Sequence, residues 1–293
     1  MLLLRPSLSP VQSIVALFFA TGPNFHTSPL FQPLRGGAGA LSHTTSVMKR
    51  SRHFASTTPP SKKSAPNSSS FSAGAPRTNS FGVLAHPTIP PHTLILGSHP
   101  SVQSLQNGEY YGHRRNAFWW IAGDALGFRR GVAGGPSKEI TPLHPEEKSL
   151  PYTEQVQQLL EAGFAVWDVV GQCERKGSLD ADIKNAVPNP LQEWVASQPS
   201  LKRICFSTGA STADLFIKYH RKWLCTPGKF SFSGDELTQR KFKRFIQLQQ
   251  GVDEDRRIRL CVMPSVSPAY AKMSYREKRE GWFRECYELH FPL

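Results

Sequence analysis

Gly97-Ser98-His99-Pro100-Ser101-Val102-Gln103-Ser104-Leu105-Gln106-Asn107-Gly108-Glu109-Tyr110-Tyr111-Gly112-His113-Arg114-Arg115-Asn116-Ala117-Phe118-Trp119 follows directly on the apolar run Thr93-Leu94-Ile95-Leu96. Four β-prone residues that stop at a glycine read as a buried strand. The Gly/Pro pair makes a tight turn, and a polar, aromatic-rich loop then enters an apolar helix over residues 117–127, with Asn116 placed to cap it. Outward from this stretch, apolar runs at 164–170, 203–207 and 258–263 read as further strands. Helical spacing at 151–162, 211–223 and 275–289 separates them. Short strands alternating with helices predict an α/β fold: a three-layer α/β/α sandwich around a central, mainly parallel, four-stranded sheet. Ligands of such sheets bind beyond the carboxyl ends of the strands. That rule singles out residues 97–100, 171–180, 208–211 and 264–270. Residues 222–257 are polar and basic and read as a surface insertion.

The formal net charge of +13 suggests an anionic partner, but eight of its basic residues precede Glu109, the first acidic residue of the chain. Residues 1–85 are rich in Ser, Pro, Gly and Thr and are expected to be disordered, with the folded domain over 86–293. An acid-free, Arg-bearing start resembles a mitochondrial presequence. Met48, followed by Lys49-Arg50-Ser51-Arg52, offers a second start with a basic, nuclear-type end. Mitochondrial and/or nuclear location is therefore the expectation. The apolar runs near the N-terminus are far shorter than the ~18 residues that span a bilayer, so no membrane partner is expected. Five widely spaced cysteines, without a Cys-x-x-Cys pair or a Cys/His cluster, predict reduced thiols and no metal site.

Gly97-Ser98-x-Pro100-Ser101, Ser104-Leu105, Tyr110-Tyr111, His113 and Arg115-Asn116-x-Phe118-Trp119 together resemble the first motif of the uracil-DNA glycosylase superfamily. They are closest to its hypoxanthine (deoxyinosine) branch. Trp167-Asp168, with Cys173-x-Arg175-x-Gly177-Ser178-Leu179-Asp180, resembles a second block of that branch. Met263-Pro264-Ser265-Val266-Ser267-Pro268 resembles the superfamily's last motif, a Ser/Pro loop that enters the minor groove in relatives. The departures are Arg114 in place of the usual Pro, His99 where Phe is common, and Tyr270 near the position of the uracil-specific His. They argue against a uracil-only enzyme.

The resemblance implies a monomeric, monofunctional DNA N-glycosylase that needs no metal or cofactor. Its partner is DNA containing a deaminated base: hypoxanthine, with uracil and xanthine as alternatives. The implied catalytic set is Asn116 to orient water, with Ser98, His99 and amides around Pro100 and Ser101 donating to the leaving base. Tyr110, Tyr111 or Phe118 would stack on the flipped base. Gly97, Asp168, Arg175 and Ser178 would line the pocket. His113, Arg114, Arg115, Ser265, Ser267 and Pro268 would hold the DNA. On residue type alone, Asn116 is as well explained as a helix cap, and Phe118 as core. Two other readings stay open: a glycosylase specific for G/U or G/T mismatches, and a non-catalytic nucleic-acid-binding protein on the same scaffold.

Overall fold

The computed structural model describes residues 75–128, 150–233 and 235–287. In chain order the elements are β1 (Arg77–Asn79), β2 (Thr93–Gly97), α1 (Val102–Asn107), α2 (Phe118–Leu126), α3 (Tyr152–Glu161), β3 (Phe164–Asp168), β4 (Val170–Glu174), β5 (Lys184–Pro188) and α4 (Leu191–Ala196). They continue with β6 (Arg203–Phe206), α5 (Ala210–Tyr219), α6 (Arg221–Leu224), β7 (Phe230–Phe232), α7 (Glu236–Phe242), β8 (Ile258–Val262) and α8 (Tyr275–Trp282), which runs into a π-helical turn, Phe283–Tyr287. Five strands form one parallel sheet in the order β3-β2-β6-β8-β7, and a smaller antiparallel sheet has the order β1-β4-β5.

The period of two along each strand builds the layers. Leu94 and Leu96 of β2, Ile204 and Phe206 of β6, and Leu260 and Val262 of β8 face one cluster, with Phe216, Trp223 and Phe242 from the helices on that side. Ile95, Cys205 and Cys261 face the other cluster, with Trp119, Leu159 and Trp282. Both faces are thus covered, the condition under which a parallel sheet reads as continuous apolar runs. The α/β/α sandwich is borne out, with one correction: the parallel sheet has five strands, not four.

The fifth strand, Phe-Ser-Phe at 230–232, lies inside the segment expected to be a surface insertion. That expectation is corrected too, since Phe230, Phe242 and Phe245 are buried in the core. Their apolar character was masked in sequence by the Lys and Arg residues between them. The expected boundary at residue 85 also moves. β1 pairs with β4, Ser80 N–H donates to Gly171 O at 2.7 Å, and Leu84 exchanges two 2.9 Å hydrogen bonds with Val166. Residues 75–85 therefore belong to the folded domain. The targeting and disorder expectations for residues 1–74 lie outside the described residues. The expected single strand at 164–170 divides at Val169, whose N–H donates to Gly97 O at 2.9 Å while Val170 N–H donates to Ser98 O at 3.0 Å. The chain leaves the parallel sheet there and enters the small one.

Candidate functional site

Gly97 ends β2 beside Asp168, its register partner on β3. A Cβ built at Gly97 would sit 2.4 Å from Asp168 Oδ1, so only glycine lets the two strand ends close. Asp168 is 2% exposed, and its Oδ2 has no hydrogen-bond partner among the described residues. Burial pushes this carboxyl up to about 8, with Asp180 adding to the effect and Arg175 opposing it. Its environment therefore favours the protonated, neutral form.

The three residues that follow are each fastened differently. Ser98 Oγ donates to Asp180 Oδ2 at 2.7 Å and lies 2.9 Å from Thr212 Oγ1 and 3.0 Å from Thr208 Oγ1. With its one proton given to Asp180, it accepts from the threonines. Ser211 Oγ donates to the same carboxylate oxygen at 2.8 Å. His99, expected to face the base, is 7% exposed and turned inward. Its Nδ1 lies 3.1 Å from Val170 O and its Nε2 3.0 Å from Thr78 Oγ1. A carbonyl can only accept, so Nδ1 carries the proton and Nε2 accepts from the threonine hydroxyl. Burial also lowers the pKa of the ring, in keeping with a neutral imidazole. The carbonyl of Pro100 takes a hydrogen bond from Nη2 of Arg175, whose other arm lies 3.9 Å from Asp180 Oδ1.

Ser101 caps α1 by accepting from Ser104 N–H at 3.1 Å, and Ser178 Oγ accepts from Val102 N–H at 3.0 Å. Tyr110 is a core residue. Its hydroxyl donates to Gly82 O at 3.1 Å and its carbonyl accepts from Trp119 Nε1 at 2.8 Å. Tyr111 has a left-handed backbone (φ 54°). Its hydroxyl donates to Ser207 Oγ at 2.8 Å, because the Ser207 proton goes to Leu96 O at 2.9 Å. The Tyr111 ring leans on Phe118, with centroids 4.1 Å apart. Phe118 is 1% exposed and also touches Trp119 and Trp282 edge-on, so it packs as core. His113, Arg114 and Arg115 form an open turn in which His113 Nδ1 accepts from Arg115 N–H at 3.1 Å.

Asn116 is half-buried ahead of α2. Its Oδ1 accepts from Phe118 N–H at 2.9 Å, so it does help to cap the helix. Among the described residues Nδ2 has no partner. The next residue, Ala117, donates its N–H to Val266 O at 3.0 Å, which seats Asn116 beside the Ser/Pro loop after β8. That loop is itself braced: Trp282 Nε1 donates to Pro264 O at 2.8 Å, and Gly281 leaves room for the Pro264 ring. Ser265 Oγ accepts from Ser267 N–H and Ser267 Oγ from Ala269 N–H, both at 3.3 Å, in a tight turn around Pro268.

Gly97, Ser98, Asp168, Asn116, Tyr111 and the Ser265–Ser267 loop thus meet at the carboxyl edge of the parallel sheet. Tyr110 and Phe118 lie beneath this edge, and His99 turns away from it. The strand-end rule singled out residues 208–211 but gave them no role. In the structure Thr208, Ser211 and Thr212 form a band of hydroxyls behind Ser98, and Ser207 and Thr212 lie just outside the segment it marked. Their place directly after an apolar strand was the available signal. No group of three His, Cys, Asp or Glu side chains among the described residues could hold a metal ion. No described helix is long and apolar enough to cross a membrane.

A model of the Uracil DNA glycosylase superfamily matches residues 86–289. Two curated proteins named hypoxanthine DNA glycosylase are similar over 114 residues, from Methanosarcina acetivorans at 29% identity and Methanosarcina barkeri at 28%. Each alignment covers 39% of this chain, and the chain spans 61% of the length of these relatives. Among solved structures, the solution NMR structure of a candidate uracil DNA glycosylase from M. acetivorans aligns with a TM-score of 0.46 at 20% identity, covering 73% of this chain and 98% of that one.

Proposed function

The chain belongs to the uracil DNA glycosylase superfamily, and on that premise we propose that it hydrolyses the N-glycosidic bond of a deaminated base in DNA, hypoxanthine first, and leaves an abasic site. The observation that carries the reading is the seat of Asn116. It stands at the strand-end crevice, tied by Ala117 to the Ser/Pro loop, with its amide Nδ2 free of protein partners among the described residues.

The reaction needs a nucleotide turned out of the stack, which costs a few kcal/mol and least for a mispaired base. A deaminated base sits in such a mispair. Bond cleavage builds positive charge on the sugar, so an oriented water matters more than a strong nucleophile. An amide cannot take up a proton near neutral pH, but Asn116 can donate to a water and direct its lone pair at the sugar carbon. On this reading the amides of the 97–101 turn face the departing base, in the manner of an oxyanion hole. Asp168, whose burial favours the protonated form, spares that base the repulsion of a second anion. Ser265, Ser267 and the Arg114-Arg115 turn hold backbone phosphates, which makes binding strongly dependent on salt.

The test is base release by the full chain from duplexes carrying one inosine, uracil, xanthine or G·T mispair, read as strand cleavage after alkali. Release that falls by roughly 10²-fold or more in Asn116→Ala supports the proposal. A folded protein that binds these duplexes and releases no base from any of them refutes it.

A further inference from the structure

Residues 75–84 precede the segment matched by the family model, yet they touch the site's supporting wall at every turn. β1 pairs with β4 through Arg77, Thr78 and Asn79. Phe81 packs edge-on against Tyr110, with centroids 5.0 Å apart, and the carbonyl of Gly82 takes the Tyr110 hydroxyl. Leu84 bridges to Val166 of β3. The contact nearest the chemistry is Thr78 to His99. His99 sits between Ser98 and Pro100, and its ring is held at both nitrogens.

The turn at residues 97–101 is therefore pinned at three consecutive side chains or carbonyls. Asp180 holds Ser98, Arg175 holds Pro100, and Thr78 with Val170 holds His99. Of these anchors, only Thr78 comes from the N-terminal segment ahead of residue 86. We propose that Thr78 and His99 act as positioning residues for the reaction: the N-terminal strand holds the His99 ring inward and thereby sets the direction of the backbone amides that face the departing base. This rests on the glycosylase reading above. A turn whose amides drift by a fraction of an ångström still binds DNA through its phosphates, but it stabilises the transition state less well.

The experiment compares Thr78→Val, which keeps the side-chain shape and removes the hydroxyl, with Thr78→Ser, which restores it. Single-turnover base release and duplex affinity are measured on the full chain. Asn79→Ala is the control on the same strand, because it removes the exposed bond from Gln172 Nε2 to Asn79 Oδ1 and leaves His99 untouched. The expected result is a Thr78→Val rate roughly 5- to 20-fold lower, from loss of one buried-side hydrogen bond, with affinity within twofold of the parent. Thr78→Ser and Asn79→Ala should keep the parent rate. A Thr78→Val rate equal to the parent, or a loss matched by Asn79→Ala, overturns the proposal. Hydrogen exchange of the Gly97, Ser98, His99 and Ser101 amides gives a second readout that needs no activity. Faster exchange in Thr78→Val supports the ordering of the turn by Thr78, whereas a parent that releases no base sinks the glycosylase reading and the positioning role with it. Unchanged exchange overturns the proposal. Thr78→Ala is read in the same way if the valine variant fails to fold.

Discussion

In the parallel sheet β2, β3 and β6 are buried along their whole length, whereas β1 and β5 of the antiparallel sheet hold only exposed and half-buried residues. The first sheet ends in Gly97, Asp168 and the hydroxyls after β6, the groups placed nearest the chemistry. The second, with the 3₁₀ turn Asp180–Asp182, supplies the brackets: Thr78, Val170, Arg175 and Asp180. The parallel sheet thus carries most of the buried core, while the small sheet, which adds only Val170 and Cys173 to that core, holds the strand-end turn in place.

The largest loss of stability is expected at Phe206, fully buried between Phe216 and Phe242. Phe206→Ala is expected to cost about 3–5 kcal/mol of unfolding free energy, measured by urea denaturation. A loss below about 1 kcal/mol would mean that the parallel sheet is not where the stability lies.

Asp168 is a titrating group inside the parallel sheet. Its folded pKa of about 8 stands above that of the unfolded chain, so the folded state holds the proton more tightly. Stability is then fully present at low pH and is lost as pH rises from about 4 to about 8. The loss is at most about 1.4 kcal/mol for each pH unit crossed. Asp168→Asn does not titrate, so its melting temperature should pull ahead of the parent's across that window and run parallel to it above pH 8. Parallel curves throughout would show that Asp168 ionises normally. The smallest effect is expected at Val187, which is 49% exposed on β5. Val187→Ala should change unfolding free energy by no more than about 0.5 kcal/mol, in keeping with a strand that is not a core element.

The same contrast explains what could be read from residues alone. Thr93–Gly97, Phe164–Asp168, Arg203–Phe206 and Ile258–Val262 are legible because a strand buried on both faces is mostly apolar, Arg259 being the one exposed residue of the four. β1 and β5 are not, since Arg77-Thr78-Asn79 and Lys184-Asn185 carry the composition of a loop. β7 is only three residues long and is flanked by Lys229 and Ser233. At the site, residue order identified the turn, Asn116 and the Ser/Pro loop, and the structure gathers them at one edge. Side-chain direction was not legible. His99 points inward because its partner Thr78 lies 21 residues earlier, in a Ser/Thr/Pro-rich stretch that gives no strand signal. Tyr110 looked available for stacking because it sits in a polar loop, but Trp119, Phe81 and Gly82 draw it into the interior.

The Leu84–Val166 bridge has a practical consequence. β3 is the outermost strand of the parallel sheet on its side, and its backbone N–H and C=O groups would otherwise be open to strands of other molecules. Two hydrogen bonds from one residue, with the chain beside it, block that route to self-association. Protein trimmed to residue 86 should therefore show concentration-dependent aggregation, whatever its effect on the reaction.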